Sequence, residues 1–261
     1  MESSIKGSAI LLREGDSSLT RREIDVVRKS IGYSPSSAAT YDANRFTDIG
    51  GQVIDSIEKE AIWTLVGGPS SEAVLLDVGS GTGRFSLVAV EKGYRTIGLD
   101  GSFPMLMVHR EKLMSKQCYS ESQLIQSNAL NLPFRDACVD VVLSVRMLNQ
   151  LEHDSQRLDA IVEMLRVCKP CGKVVFDLAN AFSIGYLGGN FSHLSRVGRI
   201  EKELREMFFS IRISVTGRFF IPFSAFLISN SHFPKVLKRI DALLSRFLGR
   251  FCTRVYVEIR K

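Results

Sequence analysis

The stretch Leu75-Leu76-Asp77-Val78-Gly79-Ser80-Gly81-Thr82-Gly83-Arg84 constrains this chain more than any other. An apolar run over residues 73–78 closes on an acid and a valine and reads as a buried parallel strand. Three alternate glycines follow, which tolerate positive φ and let a ligand lie against the backbone. Residues 85–92 then open a helix, whose first N–H groups lack partners within the helix and face that ligand. A second apolar run ends in Asp100, 23 residues after Asp77. A carboxylate at that strand tip accepts from ribose hydroxyls. Together these segments predict a nucleoside-binding strand-turn-helix-strand unit.

The dinucleotide fingerprint requires glycine or alanine three residues after its second glycine. That place is Arg84 counting from Gly79, and Ser86 counting from Gly81. Neither fits, which disfavours a nicotinamide or flavin dehydrogenase. The pattern Asp-x-Gly-x-Gly-x-Gly instead resembles motif I of the class I S-adenosylmethionine-dependent methyltransferases. The resemblance continues in order over roughly residues 72–180. Asp100-Gly101-Ser102-Phe103-Pro104-Met105-Leu106 is similar to the family's D-x-S-x-x-M-L, and Asn128-Ala129-Leu130-Asn131-Leu132-Pro133-Phe134 to its G-D-A-x-x-L-P-F. Val139-Asp140-Val141-Val142-Leu143-Ser144 is similar to F-D-V-V-x-S, and Arg166-Val167-Cys168-Lys169-Pro170-Cys171-Gly172 to R-V-L-K-P-G-G. The small-molecule subgroup that includes quinone-biosynthesis enzymes is the best match.

The resemblance implies S-adenosyl-L-methionine as cofactor. Asp77, Gly79, Ser80, Gly81 and Gly83 are expected at its methionine end, and Asp100, Gly101 and Ser102 at its ribose. Asn128, Ala129 and Leu130 are expected at the adenine, with Ser144 through Arg146 on the floor near the transferred methyl. Tyr41-Asp42-Ala43-Asn44-Arg45-Phe46 resembles an N-terminal segment that closes over the cofactor, and Arg45 is a bidentate partner for the methionine carboxylate. Three departures stand out. Asn128 replaces an aspartate and can accept only through an uncharged carbonyl. Asn149-Gln150 replaces a frequent His-His, which removes any proton shuttle there. Cys171 replaces a loop glycine.

The alternation of apolar segments predicts strands at 73–78, 95–100, 123–128, 140–145 and 173–178, with helices between them. Final strands at 209–215 and 252–259 complete, by the resemblance, an antiparallel edge. The expected fold class is α/β: a doubly wound, mostly parallel seven-stranded sheet. Residues 1–71 are read as an N-terminal helical cap, with helices at 19–31 and 41–65, a break near Gly50-Gly51 and a loop at 34–37. Residues 72–261 are read as the methyltransferase domain, with an apolar and basic helical insertion at 219–250.

That insertion is the second informative region. Residues 231–261 hold eight basic and two acidic side chains and so carry the chain's whole formal charge of +6. Val236, Leu237, Ile240, Leu243, Leu244, Phe247 and Leu248 fall on one helix face, with basic residues opposite. The plain reading is a helix packed on the sheet with its charges solvated. The sharper reading is a peripheral membrane contact, or a lid admitting a lipid-like acceptor. The first residues lack a basic start followed by an apolar stretch, and no apolar run reaches about 18 residues. With an odd count of five cysteines, these features predict a cytoplasmic chain.

Other constellations carry less. Cys168-Lys169-Pro170-Cys171 has redox spacing but sits at a helix end, where the dipole disfavours a thiolate, and no second pair completes a zinc site. The four histidines show no metal-ligand spacing, and no metal is expected. His153, on the rim after the fourth strand, is the candidate general base, against the plainer reading of a solvated loop histidine. Nucleic-acid acceptors are disfavoured. Ser144-Val145-Arg146-Met147 replaces the Asp/Asn-Pro-Pro-aromatic motif of adenine methylation, and no basic stripe is interleaved with aromatics. The expected activity is methyl transfer to an oxygen or carbon nucleophile of a small, apolar or lipid-linked acceptor. An RNA methyltransferase and a non-catalytic cofactor-binding module are the alternatives.

Overall fold

A computed structural model describes residues 33–183, 194–221 and 233–261. The helix read at 19–31 and the apolar run beyond residue 221 lie outside the described residues. Helices α1 (Pro35–Ala39), α2 (Ala43–Phe46) and α3 (Ile49–Val66) precede the sheet. Strands and helices then alternate: β1 (Val74–Val78), α4 (Ser86–Glu91), β2 (Arg95–Asp100), α5 (Phe103–Ser115), β3 (Ser122–Gln126), β4 (Val139–Ser144), α6 (Asp154–Val167) and β5 (Cys168–Ala179). The chain closes with α7 (Val197–Met207), β6 (Arg212–Arg218), α8 (Phe233–Leu248) and β7 (Arg254–Arg260).

The seven strands run in the order β3-β2-β1-β4-β5-β7-β6. Pairing is parallel from β3 to β5, while β7 is antiparallel to both β5 and β6. The order reverses between β1 and β4, so the ligand crevice of such a sheet opens at the carboxyl ends of those two strands. The period of two along each strand divides the core. Leu76, Val142, Val174 and Phe176 pack on one face with Ile161 and Met164 of α6. Leu75, Val141, Leu143 and Val175 pack on the other with Ala61 and Ile62 of α3. The α/β class, the seven strands and the helical insertion before the last strand are as the sequence predicts.

Four local expectations change. Residues 34–37 are not a loop: Ser34 Oγ accepts from the Ser37 N–H at 3.1 Å and caps α1, whose first residue is Pro35. The break in the cap falls at Thr47-Asp48 instead of Gly50-Gly51, because the Asp48 carboxylate accepts from the Gly51 N–H at 2.6 Å and makes both glycines the first turn of α3. Strand β6 begins at Arg212, three residues later than predicted, since Phe209 and Ser210 form the turn after α7. Strand β5 begins earlier, at Cys168, by way of a bulge opposite Val139 and Val141. Within that bulge Cys171 takes φ +64°, and its N–H donates to Lys261 O at 3.0 Å. Cys168 is buried and Cys171 exposed, and both are free thiols.

Helix α3 carries an acid on its buried face. Glu58 is fully buried, and it pairs with Arg84 Nη2 at 2.8 Å and Arg146 Nη2 at 2.7 Å, with Arg254 Nε at 3.9 Å. Asp55 accepts from Arg84 Nη1 at 2.7 Å, and Asp177 of β5 faces Arg254. Burial alone would raise the Glu58 carboxyl; Arg146, Arg84 and Arg254 outweigh it and hold it at about 2. Removing one partner of a buried ion pair costs about 3–5 kcal/mol. Glu58→Ala is therefore expected to destabilise the fold by that amount in urea denaturation; a loss below about 1 kcal/mol would show that the pairs act as surface pairs do. Cys171→Gly is expected to stabilise by about 0.5–1 kcal/mol in the same assay, because the left-handed backbone costs an L-residue roughly 1–2 kcal/mol.

Candidate functional site

The crevice is built by the turn that joins β1 to α4. The N–H groups of Gly79 and Ser80 donate to Leu99 O at 2.7 and 2.9 Å, which locks the turn onto the end of β2. All three glycines have positive φ. A Cβ on Gly79 would stand 2.4 Å from the Met147 side chain, and one on Gly83 would stand 2.1 Å from the His109 ring. Those two positions exclude any larger residue. Gly81 differs, because the space its Cβ would enter is open. Its N–H donates to Asp100 Oδ2 at 2.8 Å, and the Ser102 N–H donates to Asp100 Oδ1 at the same distance. Each carboxylate oxygen retains a lone pair for a hydroxyl.

Beneath the turn lies Asp77, buried, accepting from Ser86 Oγ at 2.7 Å. Burial pushes its carboxyl up to about 6, against the lowering bond from Ser86, and the nearby Asp100 adds to the rise. Burial also raises Asp100, partly offset by the two backbone donors. Two carboxylates of raised pKa beside an open glycine favour a ligand that brings positive charge and hydroxyl groups. The Ser102 hydroxyl and His109 Nε2 are buried and have no hydrogen-bond partner among the described residues. That donor set fits S-adenosylmethionine, whose sulfonium and amino group are cationic and whose ribose supplies hydroxyls. Among the described residues no group of three metal-ligating side chains comes together.

The remaining predicted residues are placed as follows. Ser80 Oγ lies 3.4 Å from His109 Nδ1, and Gly101 O accepts from Gln126 Nε2 at 3.1 Å. Asn128 Oδ1 accepts from the Leu130 N–H at 3.0 Å, which closes a turn that buries Ala129 and leaves the second lone pair for a ligand. Ser144 is fully buried and donates to Val78 O at 2.9 Å, tying β4 to β1 under the floor. Arg45 is exposed, its guanidinium 4.4 Å above the Tyr41 ring. In the same segment it is Asp42 that holds the glycine turn: it accepts from Thr82 Oγ1 at 2.9 Å and pairs with Lys112, whose Nζ also donates to Thr82 O. His153 is exposed at the N-cap of α6.

Several residues of the site make contacts that the sequence reading did not assign to them. Arg84, noted only as a misfit to the dinucleotide pattern, is stacked 4.6 Å from the Phe46 ring and 4.4 Å from the Phe85 ring while it pairs with Asp55 and Glu58. Arg146, at the end of β4, takes φ +63° and is held there: its N–H donates to Asp177 Oδ1 and its Nε to Glu58. Asn149 Oδ1 accepts from the Ala179 N–H at 2.7 Å, so this replacement for a histidine braces the end of β5. Asp177, inside the otherwise apolar run 174–179, was the available signal for this network.

Residues 76–176 match the methyltransferase domain family. The chain is 33% identical over 135 residues to the ubiquinone/menaquinone biosynthesis C-methyltransferase UbiE of Stutzerimonas stutzeri, covering 48% of this chain and 51% of that protein. It is 30% identical over 108 residues to the tRNA (carboxymethyluridine(34)-5-O)-methyltransferase of Arabidopsis thaliana, covering 41% and 24%. The chain thus spans about half the length, or less, of these curated relatives. Among solved structures, the phosphoethanolamine N-methyltransferase 2 of Haemonchus contortus, in complex with S-adenosylhomocysteine, superposes with a TM-score of 0.60 at 17% identity over 93% of this chain and 60% of that one, a likeness of fold. The glycine turn, the Asp77 and Asp100 carboxylates and this match agree: residues 76–176 are a methyltransferase domain of the class I S-adenosylmethionine-dependent type.

Proposed function

We propose that the chain binds S-adenosylmethionine and transfers its methyl group to an oxygen or carbon nucleophile of a small, apolar or lipid-linked acceptor. The observation that carries the reading is the open face at Gly81, bounded by the raised carboxylates of Asp77 and Asp100. When bound, the cofactor supplies a methyl group already activated on a sulfonium. The protein then contributes position and dryness, which supply much of such a rate without a catalytic dyad. Asp100 holds the ribose, the Asn128 turn flanks the adenine, and the floor formed by Ser144 and Arg146 fixes where the acceptor stops. Arg45 over Tyr41 closes the cap side. His153 on the rim takes the acceptor proton. Likeness to the quinone-biosynthesis methyltransferase supports an apolar acceptor. Likeness to the tRNA methyltransferase supports RNA as the second reading.

Calorimetry tests the first step. Wild type is expected to bind S-adenosylmethionine and its demethylated product and not NADH, with Asp100→Ala weaker by about tenfold or more. Absence of binding to wild type would overturn the proposal. An acceptor screen should begin with quinones and lipid phenols; methyl transfer that appears only with RNA and disappears with nuclease would establish the second reading. His153→Ala is expected to lower kcat by about 10²-fold or more, with cofactor affinity unchanged; an unchanged kcat reduces His153 to a helix cap.

Asp77 gives a pH prediction. Its folded value of about 6 lies above the ordinary 3.8, so the fold favours the protonated acid. That contribution is full below about pH 4 and is lost as pH rises through about 6. Asp77→Asn should therefore gain up to about 3 kcal/mol over wild type at pH 7, and little at pH 4. Cofactor binding should run the other way: wild-type affinity for the cationic ligand rises as pH passes about 6, and Asp77→Asn is weak throughout. Equal stability differences at both pH values would refute the assignment.

A further inference from the structure

Helix α8 is turned opposite to its sequence pattern. The apolar residues at helical spacing predict that Val236, Ile240, Leu243 and Phe247 face the protein. Instead they are 51%, 44%, 61% and 76% exposed, while Asp241 and Ser245 are 1% and 4% exposed. The cause is a set of polar bonds that fixes the rotation of the helix. Asp241 accepts from the backbone N–H groups of Phe219 at 3.1 Å and Ile221 at 2.9 Å, and from Ser245 Oγ at 3.3 Å. One turn earlier, Leu237 is buried among Val53, Ile54 and Ile57 of α3. Lys238 adds a bond to Ser56 and an ion pair with Glu60 on the same helix. The four exposed apolar side chains, spaced four, three and four apart, form a single outward stripe.

Arg239 and Arg246 are exposed beside the stripe, and neither forms an ion pair with another described residue. The one acid of the helix, Asp241, points inward. The outward face is therefore apolar and cationic and contains no acid. We propose that it docks on an anionic lipid surface, with α8 lying in the plane of the headgroups, its stripe in the acyl boundary and its arginines on lipid phosphates. A second copy of this chain fits less well: two-fold pairing would press the stripe on itself and bring the arginines of both copies to one seam with no acid to neutralise them. No described helix is long and apolar enough to cross a membrane, so contact stays at the surface. This inference rests on α8 alone and does not depend on the acceptor.

Flotation of the full chain tests it, using vesicles of phosphatidylcholine with and without phosphatidylglycerol. Wild type is expected to float with the anionic vesicles and to release as salt is raised. The pair Leu243→Glu with Phe247→Glu should abolish flotation. The pair Arg239→Glu with Arg246→Glu should reduce partitioning by roughly tenfold or more. All four positions are exposed, so melting curves and calorimetric binding of S-adenosylmethionine should match wild type. Wild type remaining in the soluble fraction, or both variants floating as wild type does, overturns the proposal. Light scattering that shows a dimer dissociated by Leu243→Glu with Phe247→Glu, with vesicle binding unchanged, would assign the stripe to a second copy and overturn it equally.

Discussion

A carboxylate that water does not reach holds the crevice together. Glu58 sits on the buried face of α3, where an isolated charge would cost several kcal/mol. Its three guanidinium partners come from three places: Arg84 follows the glycine turn, Arg146 follows β4, and Arg254 opens β7. One acid on the cap therefore ties together the turn, the floor and the last strand. Asp55 and Asp177 supply the remaining negative charge, so three acids face three guanidiniums. The cluster holds Arg146 in a left-handed conformation that few non-glycine residues adopt, at the position where the floor of the crevice begins.

The cap is bound to the sheet at a second place. Asp42 meets Thr82 and Lys112 directly behind the glycine turn, and Tyr33 and Tyr41 stand edge to face at 5.8 Å. Burial, then Tyr41, raises the Tyr33 hydroxyl, and Asp100 is close enough to add to that rise. The aromatic pair thus borders the ribose side of the crevice. Entry of a nucleoside requires these cap contacts to part or to form around it, so the two clamps, one near Glu58 and one at Asp42, set how the cap can move.

Much of the fold was legible because the sheet is doubly covered. A strand buried on both faces is largely apolar, and β1, β2 and β4 show it in Val74–Leu76, Ile97–Leu99 and Val141–Leu143. The glycine turn was legible for a related reason, since Met147 and His109 leave no room for a Cβ. The acids that bind the cap were not assigned, because their partners lie 26 to 196 positions away, as Glu58–Arg84 and Glu58–Arg254 illustrate. The rotation of α8 was not legible for a different reason. Hydrophobic periodicity identifies which residues share a face and assumes that the apolar face turns inward. Here three hydrogen bonds to Asp241 decide the direction instead.

Asp77 and Asp100 show the same competition between burial and charge that Glu58 resolves, with one difference. Glu58 has cations within reach and is held at about 2, well below the usual carboxylate range. Asp77 has the Ser86 hydroxyl and backbone N–H upon it, and Asp100 two backbone N–H groups, so desolvation dominates and both are raised. Within one crevice, then, one acid is satisfied by the protein and two are left short of positive charge. A rise from 3.8 to about 6 corresponds to roughly 3 kcal/mol of tension in ionised Asp77. A cationic ligand releases that tension on binding, and a neutral one does not. The turn can therefore select for charge through what the protein withholds from Asp77, in addition to the hydroxyl groups that Asp100 accepts.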